Sequence, residues 1–201
     1  MSLKPRIKKL MVFDRDGVLV DDGGYTHRLE SLIILPDVIE GITLLKSLGF
    51  RFAIATGQSG IGKGMYTEAQ MHAFNDALLE QLSRHDISIE AIAFCPHDNK
   101  KEKCECRKPG IAMLQDVETK LGPIDWSTAW GIGDKPADAL MILNMGGSSV
   151  LVESGPNNNS GKERDYWNEE PGFLTEALGN PRNFTAYDLY TAALIIQQQL
   201  T

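Results

Sequence analysis

Two aspartates separated by one residue, Asp14 and Asp16, lie in the stretch FDRDGVL directly after a short apolar run. In an extended segment, side chains two residues apart point the same way, so both carboxylates can face one pocket. One carboxylate could then attack an electrophile while the other transfers protons. Aspartate and glycine are also common turn formers, so this pair alone does not establish a catalytic site.

Three further polar clusters follow other apolar runs. Thr56 closes FAIAT and precedes the glycine-rich GQSG, which suits hydroxyl and backbone N–H contacts to a phosphate. Lys108 lies in RKP, and Asp134 and Asp138 lie in GIGDKPAD. Each cluster also has an ordinary interpretation: a glycine-rich turn, a solvated surface lysine and the N-terminal cap of a helix, respectively.

The apolar patterns predict alternating strands and helices, with strands at 9–13, 52–56, 89–94, 128–132 and 149–152 and helices at 36–48, 67–82, 111–121, 136–144 and 185–200. This order predicts an α/β fold, a Rossmann-like parallel sheet with helices on both faces. Asp14, Thr56, Cys95 and Asp134 each stand at the end of one of the first four strands. Ligands bind beyond the carboxyl ends of strands in such sheets, so we expect one shared site.

Length and composition favour a single folded domain over residues 1–201, with the tail 155–201 packed on it, since 42% of the residues are hydrophobic. The net charge of −7 argues against nucleic-acid binding, which usually needs a basic face. No apolar run approaches the roughly 18 residues that span a membrane, and the N-terminus does not resemble a signal peptide. We expect a cytoplasmic monomer whose anionic ligand meets locally placed positive charge.

All three cysteines fall within the segment FCPHDNKKEKCECRKPG. Cys95, His97, Cys104 and Cys106 offer three sulfurs and one nitrogen, a complete tetrahedral set for structural Zn²⁺. A redox thiol cluster is the alternative, but such clusters usually have C-x-x-C spacing, and a C-x-C disulfide is strained. Zinc is favoured because a fourth ligand is present and because the polar loop 95–106 has little else to order it.

Taken together in this order and spacing, the four clusters resemble those of the haloacid-dehalogenase-like (HAD-like) phosphatases. The resemblance implies phosphoryl transfer through an aspartyl-phosphate, with Asp14 as nucleophile and Asp16 as general acid and base. It also implies that Thr56 and Lys108 bind the phosphate and that Asp14, Asp134 and the backbone carbonyl of Asp16 hold Mg²⁺. A cation and a lysine are physically required, because a carboxylate that attacks a phosphate approaches like charge.

Longer stretches resemble one branch of that superfamily, the D-glycero-D-manno-heptose-1,7-bisphosphate 7-phosphatases, whose relatives include histidinol-phosphate phosphatases. These stretches are DRDGVLVDDGGYTH, TGQSGIGKGMYTEAQ, CPH, CECRKP and GDK, within residues 9–155. The resemblance implies a small phosphorylated sugar as substrate, Arg107 as the group that grips the retained phosphate, and no large cap domain. The residues implied to contact substrate are Asp22, Tyr25, Thr56, Gly57, Gln58, Ser59, Arg107, Lys108 and Lys135.

The chain departs from the heptose branch at three places. That branch commonly has Asn at the position of Gly57 and Ala-Arg at Gly62-Lys63, and its cysteine loop is usually longer than the one here, in which six residues separate His97 and Cys104. Lysine keeps the charge of arginine but loses its bidentate fork. Two alternatives to a heptose bisphosphate phosphatase therefore stay open. One is a phosphatase for histidinol phosphate or another small sugar phosphate, and the other is a zinc-stabilised binding module with a vestigial site.

Overall fold

Six parallel strands form the centre of the protein. The computed structural model describes residues 5–98, 100–101, 103–153 and 171–201. The strands are β1 (Leu10–Phe13), β2 (Arg51–Gly57), β3 (Ile89–Cys95), β4 (Trp130–Gly133), β5 (Ser148–Val152) and β6 (Asn183–Ala186). They are arranged in the order β3-β2-β1-β4-β5-β6, and every neighbouring pair is parallel. The predicted α/β fold with a parallel sheet is confirmed.

Helices connect the strands. They are α1 (Val38–Ser47), α2 (Ser59–Gly62), α3 (Glu68–Ser83), α4 (Ala112–Leu121), α5 (Pro136–Asn144), α6 (Pro171–Gly179) and α7 (Leu189–Leu200), with 3-10 turns at Leu29–Ser31 and Trp126–Thr128. Five of them correspond to predicted helices, while α2 and α6 are additional. None of the helices within the described ranges combines the length and apolar character that a membrane span requires.

Both faces of the sheet are buried, as the alternation of side chains along β1 illustrates. Met11 and Phe13 belong to a core that includes side chains of α1, α3 and α7, whereas Leu10 and Val12 pack with side chains of α4 and α5. All four β1 side chains are almost fully buried. A parallel sheet covered on both faces needs such continuous apolar strands, which is why they were recognisable in the sequence.

The C-terminal region differs from its prediction. The apolar pattern predicts one helix over residues 185–200, but the structure has strand β6 first, paired with β5, and α7 begins only at Leu189. Asp188 starts this helix, because its Oδ1 accepts a hydrogen bond from the backbone N–H of Thr191 at 2.7 Å. The stretch NFTA lacks an apolar run of the kind seen in the equally short β1, because β6 lies at the edge of the sheet and is only partly buried. Residues 155–170 of the predicted tail lie outside the described residues.

The connections that leave the first two strands determine how open the carboxyl edge of the sheet is. Residues 14–37 contain one 3-10 turn, and residues 58–88 contain α2 and α3. Within these two connections, all of whose residues are described, no separate domain covers that edge. This agrees with the expectation that the protein lacks a large cap domain.

Helix α7 packs closely on α1 at a glycine. A Cβ atom on Gly41 would lie 2.3 Å from Leu189 Cδ2 and 2.9 Å from the Leu189 carbonyl oxygen. Side-chain atoms do not approach each other or backbone atoms this closely, so a larger residue would force the two helices apart.

We therefore predict that Gly41→Ala destabilises the protein by about 1–3 kcal/mol, which urea unfolding followed by circular dichroism would measure. Gly179→Ala is the matched control, since a Cβ there meets no atom within 4 Å. The control should stay within about 0.5 kcal/mol of wild type. Equal stability of the two variants would contradict close packing at Gly41.

Candidate active site

The predicted site residues converge at the carboxyl edge of the sheet, around a cavity of about 490 Å³. Nine of them line it: Asp14, Asp16, Asp22, Tyr25, Gly57, Ser59, Arg107, Lys108 and Lys135. Three others, Thr56, Gln58 and Asp134, are buried beside these residues. The parallel topology explains the convergence, since it brings the ends of β1, β2, β3 and β4 to one edge.

Lys108 lies between two buried carboxylates. Its Nζ is 2.6 Å from Asp14 Oδ1 and 2.6 Å from Asp138 Oδ1, and all three side chains are less than one-tenth exposed. Burial alone would lower the pKa of Lys108, but the carboxylates of Asp138 and Asp14 raise it well above its usual range. The lysine is therefore a fixed positive charge beside the predicted nucleophile.

Three carboxylates crowd together at the same place. Oxygen atoms of Asp14, Asp134 and Asp138 lie within 4.8 Å of one another. Burial, opposed by Lys108, raises the pKa of Asp14 to about 6, and burial, opposed by Lys135, raises the pKa of Asp134 to about 8. Asp134 Oδ1 is buried without a hydrogen-bond partner among the described residues. An all-oxygen donor set with an unsatisfied buried oxygen fits a hard divalent cation such as Mg²⁺.

A glycine allows the turn after β1 to approach this carboxylate group. Gly17 has φ +83°, a conformation that side chains other than glycine rarely adopt. A Cβ atom there would lie 2.7 Å from Asp134 Oδ2. The Asp-x-Asp-Gly pattern therefore has a steric basis in addition to its chemistry.

Asp16 is held by an arginine and a glutamine. Arg15 donates from Nη2 to both carboxylate oxygens of Asp16 at 2.9 Å, and Gln58 Nε2 donates to Asp16 Oδ2 at 2.9 Å. Burial, opposed by Arg15, raises the pKa of Asp16. Gln58 Nε2 also donates to Thr56 Oγ1 at 2.9 Å. The buried Gln58 thus links two predicted site residues in this structure, whereas the resemblance implies that it contacts substrate.

A tyrosine and a lysine that line the cavity are in contact with each other. Lys63 Nζ donates to the Tyr25 hydroxyl at 2.5 Å and lies 4.8 Å from the centre of the Tyr25 ring. Gly57 also faces the cavity, and a Cβ there would meet nothing within 4 Å. Open space therefore lies at the position where the heptose branch commonly has Asn.

The cavity gathers several cations beside the four aspartates that line it, although the chain carries a net charge of −7. Five basic side chains line it among the described residues: Lys63, Lys100, Arg107, Lys108 and Lys135. Lys63 and Lys100 were not predicted as site residues, and neither was Tyr66, which also lines the cavity. A solvated lysine looks the same in sequence as one that borders a cavity, so no local signal distinguished them. The predicted local positive charge is present.

The cysteine cluster forms one compact group. Cys95 Sγ lies 3.6 Å from Cys104 Sγ and 3.0 Å from Cys106 Sγ, and His97 Nδ1 lies 3.1 Å from Cys106 Sγ. All four ligand atoms are within 4.8 Å of one another, and all three cysteines are free thiols. Three sulfurs and one imidazole nitrogen at these separations fit a tetrahedral zinc ion.

Comparisons with known proteins agree with this geometry. No protein-family model matches the chain. The chain is 35% identical over 150 residues to the D-glycero-beta-D-manno-heptose-1,7-bisphosphate 7-phosphatase of Yersinia pestis, covering 71% of this chain and 79% of the relative. It is 34% identical over 149 residues to the enzyme of that name from Pseudomonas aeruginosa, covering 74% and 83%. The chain belongs to this phosphatase family.

Solved structures support the assignment to the heptose bisphosphate phosphatase family. The D,D-heptose 1.7-bisphosphate phosphatase from B. bronchiseptica, complexed with magnesium and phosphate, superimposes with a TM-score of 0.76 and 26% identity over 95% of this chain and 99% of that one. The D,D-heptose 1,7-bisphosphate phosphatase from Burkholderia Thailandensis shares the fold, with a TM-score of 0.62 and 24% identity over 94% and 99%. The chain is therefore a HAD-like phosphatase, and the binding-module alternative is set aside.

We predict that Asp138→Asn lowers kcat/KM for p-nitrophenyl phosphate by about 10- to 100-fold, because Lys108 loses one of its two carboxylate partners. Asp116→Asn is the matched control, since Asp116 forms an ion pair with Lys120 on the exposed surface. The control should change neither activity nor, by more than about 0.5 kcal/mol, stability. An Asp138→Asn enzyme with wild-type kinetics would contradict a role for this ion pair.

Proposed function

We propose that this phosphatase removes the 7-phosphate of D-glycero-D-manno-heptose 1,7-bisphosphate. The proposal rests on one observation: Lys108 is buried between Asp14 and Asp138 in a cavity that Arg107 also lines. One basic group thus lies beside the predicted nucleophile, and a second can meet another phosphate. The names of the relatives support the same substrate.

The reaction begins with attack of an Asp14 carboxylate oxygen on phosphorus. The bond between phosphorus and the sugar oxygen breaks, and Asp16 gives that oxygen a proton, so the sugar leaves as an alcohol. Asp16, now ionised, takes a proton from water as the water oxygen attacks the aspartyl-phosphate. Phosphate and free Asp14 result, and Asp16 regains its proton.

The phosphoryl group needs positive charge and hydrogen-bond donors around it during both steps. Lys108 provides charge beside Asp14, and Thr56 accepts from Gln58, which leaves its own O–H for a phosphate oxygen. Asp14, Asp134 and the backbone carbonyl of Asp16 would hold Mg²⁺. When bound, this ion neutralises the negative charge that the nucleophile and the phosphate bring together.

The retained phosphate needs cationic contacts in the cavity other than Lys108. Arg107 presents a guanidinium fork that matches two phosphate oxygens, and Lys63 and Lys100 add charge to the same cavity. Histidinol phosphate carries an amine at its far end and gains nothing from these cations. A second phosphate on the substrate is therefore favoured over histidinol.

A structural zinc ion orders the loop that supplies these groups. Cys95, His97, Cys104 and Cys106 fill all four tetrahedral positions, which leaves no position for a substrate. Arg107 and Lys108 directly follow the last ligand in the sequence. Zinc binding thus fixes the part of the chain that carries two of the proposed phosphate-binding side chains.

A panel of phosphate esters tests the proposed substrate. With Mg²⁺, heptose 1,7-bisphosphate should give the highest kcat/KM, above histidinol phosphate and simple sugar monophosphates. Arg107→Ala should lower kcat/KM for the bisphosphate by about 10- to 100-fold and affect monophosphates little, since a hydrogen-bonded charge contact is lost.

Two controls accompany this panel. Asp14→Asn should abolish turnover of every ester, while Arg84→Ala, on the exposed surface with Glu80, should match wild type. A preference for histidinol phosphate, or an Arg107→Ala loss equal on all substrates, would contradict the proposed substrate.

Zinc content tests the proposed structural metal. Wild-type protein should contain one Zn²⁺ per chain by elemental analysis, and Cys104→Ser should lose most of it, because one of four ligands is removed. The activity of Cys104→Ser should fall as well, because the loop loses the metal that orders it. Lys103→Ser, in the same loop, should keep zinc and activity. Zinc-free wild-type protein with full activity would refute a structural role for the metal.

A further inference from the structure

Arg15 is a charged side chain to which the proposed chemistry gives no role. It stands between Asp14 and Asp16 in the sequence, yet it is completely buried. Burying a guanidinium is costly unless its donors are satisfied, so acceptors must surround this side chain.

The donors of Arg15 face acceptors on several sides. Nε donates to Asp16 Oδ1 at 3.1 Å, and Nη2 donates to both oxygens of Asp16 at 2.9 Å. Nη1 donates to Asn75 Oδ1 at 2.8 Å, and Nη2 also reaches the Thr26 carbonyl at 2.8 Å. The guanidinium carbon lies 4.7 Å from the centre of the Phe74 ring. Asp16, Thr26 and two neighbouring residues of α3 thus fix the guanidinium plane from three parts of the chain.

A glutamine and a tyrosine complete the network around the Asp16 carboxyl group. Gln58 Oε1 accepts from the Tyr66 hydroxyl at 2.6 Å and from Arg15 Nη2 at 3.2 Å. These two bonds fix the amide orientation, so that Gln58 Nε2 points to Asp16 Oδ2. Each of the three guanidinium nitrogens donates to at least one acceptor, and well-connected buried networks of this kind are rigid. The position of the Asp16 carboxyl group is therefore determined by buried contacts.

The location of Arg15 matters for proton transfer. When Asp16 gives its proton to the leaving oxygen, the electron pair of the broken O–H bond remains on the carboxylate, which becomes negative. A positive charge already in place stabilises that charge without reorganisation. Arg15 meets this requirement through hydrogen bonds to both carboxylate oxygens.

We propose that Arg15 is the positioning residue of Asp16: it orients the carboxyl group for proton transfer to the leaving oxygen and stabilises the negative charge that Asp16 then acquires. The inference rests on the proposed function, in which Asp16 is the general acid. Arg15 itself touches neither the substrate nor the reacting phosphate. Asn75 orients Arg15, and Tyr66 orients Gln58, so both support the same geometry.

The leaving group provides a selective test. A sugar alkoxide leaves poorly without a proton, so its departure depends on Asp16. p-Nitrophenolate is a stable anion and leaves without protonation. A residue that acts through Asp16 should therefore affect sugar phosphates much more than aryl phosphates, whereas a residue that merely stabilises the fold should affect both alike.

The experiment compares kcat/KM for the best sugar phosphate of the panel and for p-nitrophenyl phosphate, using the full chain with Mg²⁺. Arg15→Lys should lower the sugar phosphate value on the order of 10- to 100-fold and the aryl phosphate value by less than about threefold. Asn75→Ala should also lower kcat/KM for the sugar phosphate more than kcat/KM for the aryl phosphate. If thermal unfolding shows that Arg15→Lys is not folded, Asn75→Ala replaces it in the test. Arg84→Lys, a surface control of the same chemistry, should leave both values unchanged.

A double-mutant cycle checks that Arg15 acts through Asp16. In the Asp16→Asn background, Arg15→Lys should cost little further activity toward the sugar phosphate, because the group it positions is gone. Equal losses on both substrates, or additive losses in the cycle, would overturn the inference. A wild-type enzyme inactive on every phosphate ester would instead overturn the proposed function, so the two failures are distinguishable.

Discussion

The buried ion pairs of Lys108 are the interaction on which the site depends. Burial raises the pKa of Asp14 and of Asp134, and the nearby carboxylate of Asp138 raises both further. Lys108 lies 2.6 Å from two of these carboxylates and offsets both effects. Because Lys108 comes from the segment after β3 while the acids follow β1 and β4, the pairs form only when the sheet is assembled. Folding and construction of the site are therefore one event.

Basic side chains also lie beside the other two acids, Asp16 and Asp134. Asp16 has Arg15 on its buried side, and Lys135 Nζ lies 4.0 Å from Asp134. Lys108 is shared by Asp14 and Asp138, but the predicted nucleophile Asp14 and the predicted proton donor Asp16 have different cations, Lys108 and Arg15. A single cation shared by Asp14 and Asp16 would couple their protonation. This distribution keeps the two carboxylates in different electrostatic environments within one small cavity.

Sequence predicted the parts of this structure that depend on local patterns. The buried strands, the polar residues at their ends and the ligand set of the cysteine loop were all visible as short motifs. Strand β6 was missed because NFTA, a partly buried edge strand, lacks the apolar run that made the equally short β1 recognisable. The buried position of Arg15 could not be predicted from the sequence, because two of its hydrogen-bond partners, Asn75 and Gln58, are distant in sequence. Lys100 carried no local signal, because only tertiary structure distinguishes a cavity wall from a solvated surface, while Lys63 was marked only by its position where the heptose branch commonly has Arg.

The cysteine loop has a consequence for how such sites can diversify. The predicted catalytic acids follow strands β1 and β4, deep in the sheet, whereas three of the five basic side chains that line the cavity within the described ranges, Lys100, Arg107 and Lys108, belong to the segment after β3. The acids and most of the cations that line the cavity are thus encoded in separate stretches of the gene. Exchange of this segment between homologues that keep Lys108 would change the other cations around the substrate while the acids after β1 and β4 stay untouched.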